Sequence, residues 1–509
     1  MSALGSRRWW ALAALGLTVL TIGFDATILN VALPTLATAL HASTGALQWM
    51  VDAYVLVFAG LLLPMGALGD RFGRKRLILV GLVLFGAASV LATYAGSTGP
   101  LIAARAIMGI GAAVLTPIAA AVLPVIFPPQ ERAKAISFFA IGMGVGVPLG
   151  PIIGGYLLKH FWWGSVFLVN VPVVVVALVA VMLLVPESKD PAPPRIDVVG
   201  GLLSTAGLVS FVYGVIEAPS RGWTAPVVLT TIGSGLLLIA AFVAWERRTA
   251  QPMIDLTLFA RPRFLWGTVA MTVASFGLFG LLFVLPQYLQ AVQGNDALGT
   301  GVRLLPMMAG LIVGARTSEK LGSRFGARVP VAGGLLVIAG GLAVGALTTV
   351  DSGYGFAALW LSIVGAGVGL TLAPAMDAVL GELPPERAGS GTALTMTLRQ
   401  VGGALGVALL GSISAAAYTD RLHLAGLPGP VAEAARDSIA GAVVVAARLG
   451  SPALLADARG AYVHAMSVVL LVCVAITVLG GVLAARFLPA RAVSLEPAGE
   501  SEHELARVA

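Results

Sequence analysis

The chain is poor in cysteine, histidine and charge, and each shortage excludes something. Its single cysteine, Cys473, excludes an intramolecular disulfide and any cysteine-ligated metal cluster. The five histidines, at 41, 160, 423, 464 and 503, fall at the ends of apolar runs, in connections or in the tail, without zinc-ligand spacing. Only 11% of residues are charged, against roughly a quarter in a soluble globular domain. No G-x-x-x-x-G-K-[ST] phosphate loop is present, so neither ATP nor another cofactor is expected. No nucleophile, base and acid form a recognisable set, and an enzyme is not expected.

What is abundant is apolar sequence. Hydrophobic residues make up 58% of the chain, and the mean hydropathy is +0.95. The apolar runs exceed the roughly 18–20 residues that a helix needs to cross a hydrocarbon core. Such spans must be helical, because lipid offers the backbone no other partner. The runs are 9–33, 49–69, 77–96, 100–123, 135–157, 165–185, 198–217 and 226–245, then 265–288, 298–318, 329–349, 355–376, 391–416 and 463–487. The sequence therefore predicts an all-α polytopic membrane protein with fourteen transmembrane helices. The start, "MSALGSRRWWALAALGLTVLTIGF", has the charge pattern of an export signal, but its apolar stretch is long enough to be the first span.

Lysine and arginine cluster at Arg7/Arg8, Arg71–Arg76, Arg132/Lys134, Lys189/Arg195, Arg247–Arg263, Lys320–Arg328, Arg387 and Arg486/Arg491. These are the termini and every second connection, whereas 34–48, 97–99 and 350–354 carry neither residue. The positive-inside rule then makes both termini cytoplasmic, which requires an even number of spans. The same rule accounts for the net charge of +7 without a nucleic-acid partner. The connection 417–462 is placed outside. It is nearly neutral, and "VAEAARDSIAGAVVVAARLG" within it reads as one short surface helix. The polar tail from 488 to 509 reads as disordered and cytoplasmic.

A repeat divides the chain. "LGDRFGRK" (68–75) matches "LGSRFGAR" (321–328), and "FPPQERAKA" (127–135) is echoed by "LPPERAGSG" (383–391), both pairs about 253–256 residues apart. Each copy sits on a cytoplasmic connection, so the halves are parallel repeats related by an axis along the membrane normal. This gives an N-terminal six-helix bundle (1–188), two inserted helices (189–262) and a C-terminal six-helix bundle (263–487).

Charged residues inside spans are functional candidates by default. Asp25 lies within the first span and must face the interior or a cavity. It is a candidate proton carrier, or a structural carboxyl bonded through Thr27 or Asn30. Asp52, beside Trp49, is interfacial or, facing a cavity, an acceptor of protons or cationic substrates. Arg105 pairs with one of these acids or snorkels to the outer interface. In the loop "GALGDRFGRKR" (66–76), Gly66, Gly69 and Gly73 permit close helix approach, Asp70 meets a positive helix end, and Arg71 and Arg74 add basic charge. In "GMGVGVPLGPIIGGYL", Gly142, Gly146, Gly150 and Gly154 share one helix face, and Pro148 and Pro151 bend the helix. Gln287, Tyr288, Gln290, Arg303, Arg399 and Gln400 either line a substrate path or bridge helices. Phe24, Phe276 and Phe279 line a pocket or face core and lipid.

With these residues in view, the chain resembles the major facilitator superfamily, specifically its fourteen-helix drug:proton antiporter branch (the EmrB/QacA type). The motifs that carry the resemblance are "GALGDRFGRKR", "DATILNVALP" (25–34), "LIAARAIMGIGAA" (101–113), "GVPLGPIIGG" (146–155), "PMIDLTLFARPRF" (252–264) and "PPERAGSGTALTMTLRQVGGALG" (384–406). The resemblance implies a role for Arg105 in proton transfer with Asp25 or Asp52. It implies a cytoplasmic latch of Gly66, Gly69, Asp70, Arg71, Gly73 and Arg74, with Glu131 as the partner of Arg74. Ser323 replaces the acid in the second copy, which implies a one-sided latch. The antiporter helix carries Gly146, Pro148, Gly150, Pro151, Gly154 and Gly155. The implied activity is proton-coupled export of hydrophobic or cationic small molecules across the plasma membrane of a bacterium, driven by the proton gradient, by a monomer in the lipid bilayer. A dedicated exporter of one metabolite, antibiotic or lipid would share every motif; a uniporter, a nutrient symporter and a membrane receptor are the other readings.

Overall fold

A computed structural model describes residues 2–189, 197–249, 252, 256–383, 388–424 and 427–490. The long helices are α1 (Ser2–Ala39), α2 (Thr44–Phe72), α3 (Arg74–Thr93), α4 (Thr98–Ile126), α5 (Pro129–His160), α6 (Asn170–Leu184), α7 (Val198–Arg221) and α8 (Pro226–Glu246). They continue with α9 (Pro262–Gln287), α10 (Leu305–Phe325), α11 (Arg328–Gly345), α12 (Tyr354–Leu380), α13 (Ala388–Arg421) and α14 (Pro452–Phe487). Among the described residues, thirteen helices are long and apolar enough to cross a membrane. A further helix, α5, has spanning length at 32 residues.

Local chemistry sets the helix ends. Ser43 accepts from Ala46 N to cap α2, and Asp197 accepts from Gly200 N to cap α7. The α2–α3 turn runs through Gly73 at φ 107°, and the α10–α11 turn through Gly326 at φ 73°. Both conformations favour glycine. The repeat therefore marks equivalent turns, and the equivalence extends to backbone bonds. Arg74 N donates to Ser188 O at 2.8 Å beyond α6, and Ala327 N donates to Ala490 O at 3.0 Å beyond α14. The packing repeats too: α1 with α5, α2 with α4, α3 with α4 and α6, and α1 with α6, then α9 with α13, α10 with α12, α11 with α12 and α14, and α9 with α14.

Three expectations are revised. The first helix extends beyond 9–33 to Ser2–Ala39, and the last starts at Pro452 rather than 463. The connection 417–462 is shorter as a result. Its predicted single surface helix is two, Gly429–Asp437 and Ile439–Leu449. They break at Ser438, whose extended backbone lets its hydroxyl accept from Gly441 N and start the second helix. The tail beyond 490, residues 384–387 and the side chains of Asp70, Gly142 and Pro148 lie outside the described residues.

A candidate proton site between α1, α2, α4 and α6

Asp25 is fully buried in α1, and Arg105 of α4 is 1% exposed. Arg105 Nη1 donates to Asp25 Oδ2 at 2.6 Å. Its Nε donates to Met50 O at 3.1 Å, and its guanidinium lies 4.3 Å from the Tyr54 ring centroid. Asn170, the first residue of α6, donates to Asp25 Oδ1 at 3.0 Å and lies 3.3 Å from Ser89 Oγ on α3. One ion pair thus gathers contacts from α1, α2, α3, α4 and α6. Arg105 does not snorkel. Thr27 and Asn30 donate to carbonyls of their own helix, at Phe24 and Ala26. The partners of Asp25 are instead Arg105 and Asn170.

Asp52 is also fully buried, which removes its interfacial reading. Among the described residues neither of its oxygens has a hydrogen-bond partner. Met50 and Tyr54, one turn apart on α2, both face Arg105, and a residue midway between them falls on the opposite side of the helix. The two acids therefore occupy separate environments, one compensated and one not.

The glycine face of α5 fits against α1. A Cβ at Gly146 would lie 2.6 Å from Leu20 O, at Gly150 2.6 Å from Phe24 O, and at Gly154 2.7 Å from Ile28 Cγ1. Gly155 turns to the other half, where a Cβ would lie 2.6 Å from Ala297 O, and Gly301 packs against Pro151 O. These contacts sit at the end of the bundle that carries the α1–α2 connection. Other bonds between the halves gather there: Lys159 with Asp296 at 3.0 Å, and Gln290 Nε2 to Val31 O at 2.9 Å. Gln48 Nε2 donates to Val407 O at 3.1 Å and Ala408 O at 2.7 Å. Asp296 lies outside the spans, and its acceptance from Gly299 N, followed by Lys159, holds its carboxyl below the usual range.

The opposite end holds the basic loop. A Cβ at Gly69 would lie 2.7 Å from Ile118 Cγ1, while Gly66 faces Pro117. Arg71 is exposed, its guanidinium over Phe72. Glu187 accepts from Lys75 N at 3.1 Å and Arg76 N at 3.3 Å. Glu131, expected beside Arg74, pairs with Arg8 of α1 at 2.8 Å. These named contacts stay within α1–α6.

The proposed path residues scatter. Gln287 donates to Phe283 O within α9, and Tyr288 to Thr349 O. Arg303 donates to Gly299 O and stacks 5.2 Å from the Tyr354 ring centroid. Among the described residues the buried Nε of Arg399 has no partner, and Gln400 is buried one position on. Phe24 and Phe276 are buried, and Phe279 packs against Gly403. A cavity of about 260 Å³ lies elsewhere, lined by Phe259, Leu265, Thr268, Val269, Thr272 and Leu398.

Sequence reasoning missed Asn170, Ser89, Tyr54, Gln48 and Ser412. Asn170 was the most legible, as an amide opening the apolar run "VPVVVVALVAVMLL". Ser89 and Ser412 carried no signal, since serine is common in spans.

Known proteins complete the picture. The profile of the Major Facilitator Superfamily matches residues 15–407. The tetracenomycin C resistance and export protein of Streptomyces glaucescens is 35% identical over 446 residues, covering 86% of this chain and 83% of that protein. The multidrug efflux pump LfrA of Mycolicibacterium smegmatis is 36% identical over 467 residues, covering 90% and 92%. Among solved structures, a bacterial homolog of the human lysosomal transporter Spinster, inward-facing and unoccupied, aligns with a TM-score of 0.68 at 20% identity, covering 96% of this chain and 99% of that one.

Proposed function

The chain belongs to the major facilitator superfamily, as an integral plasma-membrane protein of that transporter kind, and we propose that it is a proton-coupled antiporter exporting hydrophobic or cationic small molecules by alternating access. Export is the activity named for its relatives. The observation that carries the coupling is the buried Asp25–Arg105 pair.

A proton on Asp25 cancels the charge that holds Arg105 Nη1. Arg105 then keeps Met50 O and the Tyr54 ring, both on α2. One proton thereby releases the α1–α4 tie and leaves the α2–α4 tie standing. Asp52 supports a second proton position. Among the described residues no donor reaches either of its buried oxygens, and a neutral acid there would need none. Joined outer ends describe a state closed to the outside, and the resemblance assigns the basic loop as the latch between halves in the opposite state. Opening outward would engage it and expose the acids to external protons. The positive-inside rule supplies this orientation.

The test is ethidium efflux from an efflux-deficient bacterium expressing the protein, with and without a protonophore, beside Asp25→Asn and Asp52→Asn. Efflux that stops with the protonophore and in Asp25→Asn is the expected result. Efflux indifferent to both would overturn proton coupling. No efflux from a well-expressed protein would replace multidrug export by a dedicated exporter of one metabolite, antibiotic or lipid.

A further inference from the structure

The inserted hairpin α7–α8 has no counterpart in the repeat, and its first helix lies against both halves. On the α2 side the fit runs along the helix. Tyr213 and Trp49 have ring centroids 5.9 Å apart. A Cβ at Gly45 would lie 3.7 Å from Ile216 Cγ2, one at Gly60 3.1 Å from Thr205 Cβ, and one at Gly201 3.7 Å from Pro64 Cγ. Residues 201, 205, 213 and 216 thus meet 64, 60, 49 and 45, an antiparallel register over four turns of α7.

Toward the other half, the polar tie is at the outer end. Ser412 Oγ of α13 donates to Val215 O of α7 at 3.0 Å and lies 3.4 Å from Gln48 Nε2 of α2. Gln48 also donates to Val407 O and Ala408 O. Gln48, Ser412 and Val215 are each at most 2% exposed. A single hydrogen-bonded chain, Gln48–Ser412–Val215, therefore joins the N-terminal half, the C-terminal half and the insert.

We infer that the hairpin is a fixed part of the N-terminal half, and that Gln48–Ser412–Val215 is the joint of the outer gate, with Gln48 as its positioning residue. The inference rests on the alternating-access reading. When the outer ends part, the interlocked α2–α7 surface stays together, because separating it would undo glycine contacts at three heights and the Tyr213–Trp49 ring pair at a fourth. The seam splits at α13, where the bonds from Gln48 to Val407 O, Ala408 O and Ser412 Oγ and from Ser412 to Val215 O break together. Closed, α7 covers the α2–α13 seam on the lipid side. Open, it carries that cover away with α2.

Spin labels on cysteines at Trp223, in the α7–α8 connection, and at Tyr94 and Leu347, in the outer ends of the two halves, read this movement. The three positions are 54%, 72% and 71% exposed, and the buried Cys473 is replaced by serine. Gln48→Ala should shift the Trp223–Leu347 and Tyr94–Leu347 distances longer and leave Trp223–Tyr94 unchanged, with Ser412→Ala giving a smaller shift in the same sense. Lengthening of Trp223–Tyr94 with Trp223–Leu347 fixed would overturn the assignment of the hairpin. Unchanged distances in both variants would overturn the joint. As a second check, oxidising a Gly60→Cys/Thr205→Cys pair should leave efflux at the level of the reduced protein. Loss on oxidation, restored by reductant, would show that α7 must leave α2. A protein that exports nothing would undo the functional reading, while the distances, taken without substrate, would still decide this one.

Discussion

Asp25→Asn should be among the more destabilising single substitutions in the chain, for a reason specific to its partner. The change removes the carboxylate 2.6 Å from an arginine that is 1% exposed. Arginine cannot shed its charge. The guanidinium keeps Met50 O and the Tyr54 ring, but neither is an anion. Breaking a buried pair in this way costs about 3–5 kcal/mol, a factor of roughly one hundred to several thousand in the folded ratio. Arg105→Gln should cost less, because a lone aspartate can take up a proton and become neutral. The double variant Asp25→Asn/Arg105→Gln leaves no charge and should be more stable than Asp25→Asn alone. Thermal unfolding of the detergent-purified protein, read as loss of monodisperse material, gives the order directly. Costs that simply add in the double variant, or an Arg105→Gln less stable than Asp25→Asn, would refute the reasoning.

Asp52→Asn should leave thermal stability nearly unchanged, since no hydrogen bond to Asp52 is lost, while protonophore-sensitive efflux falls; a marked drop in melting temperature would give Asp52 a structural role instead. Gly150→Val should drive a branched side chain into the α1 backbone at Phe24 O, costing about 1–3 kcal/mol or more, whereas Gly16→Ala, with nothing within 4 Å of the added carbon, should be tolerated in the same unfolding assay. Gly73→Ala should cost about 1–2 kcal/mol, because its φ of 107° is unfavourable with a side chain; an unaltered melting temperature would count against that. Asp296 has a depressed folded value, so its contribution is present above the ordinary carboxylate value near 3.9 and is lost as pH falls through the folded value. The stability difference between wild type and Asp296→Asn should therefore be flat between about pH 5 and 8 and shrink below about pH 4; a slope at neutral pH would contradict this.

Much was legible from the residues alone because lipid imposes few solutions. Backbone groups in hydrocarbon must bond within their own helix, so runs of apolar residues declare helices. Asp25 and Arg105 announced themselves because a charge within a span needs a partner. Gly73 and Gly326 declared matching turns because the repeat returned the same short motif. The single surface helix expected in the connection before α14 is two, because the extended backbone at Ser438 divides them.

The tertiary structure decided what depends on rotation and on residues distant in sequence. Periodicity does not say which way α2 turns, and that rotation gives Arg105 the Met50 carbonyl and Tyr54 while leaving Asp52 on the other side. Glu131 pairs with Arg8 from 123 residues away, and Gln48 reaches carbonyls 359 and 360 residues along the chain. No local pattern encodes such meetings, because a side-chain amide and a backbone carbonyl look alike at every position until packing brings two of them together.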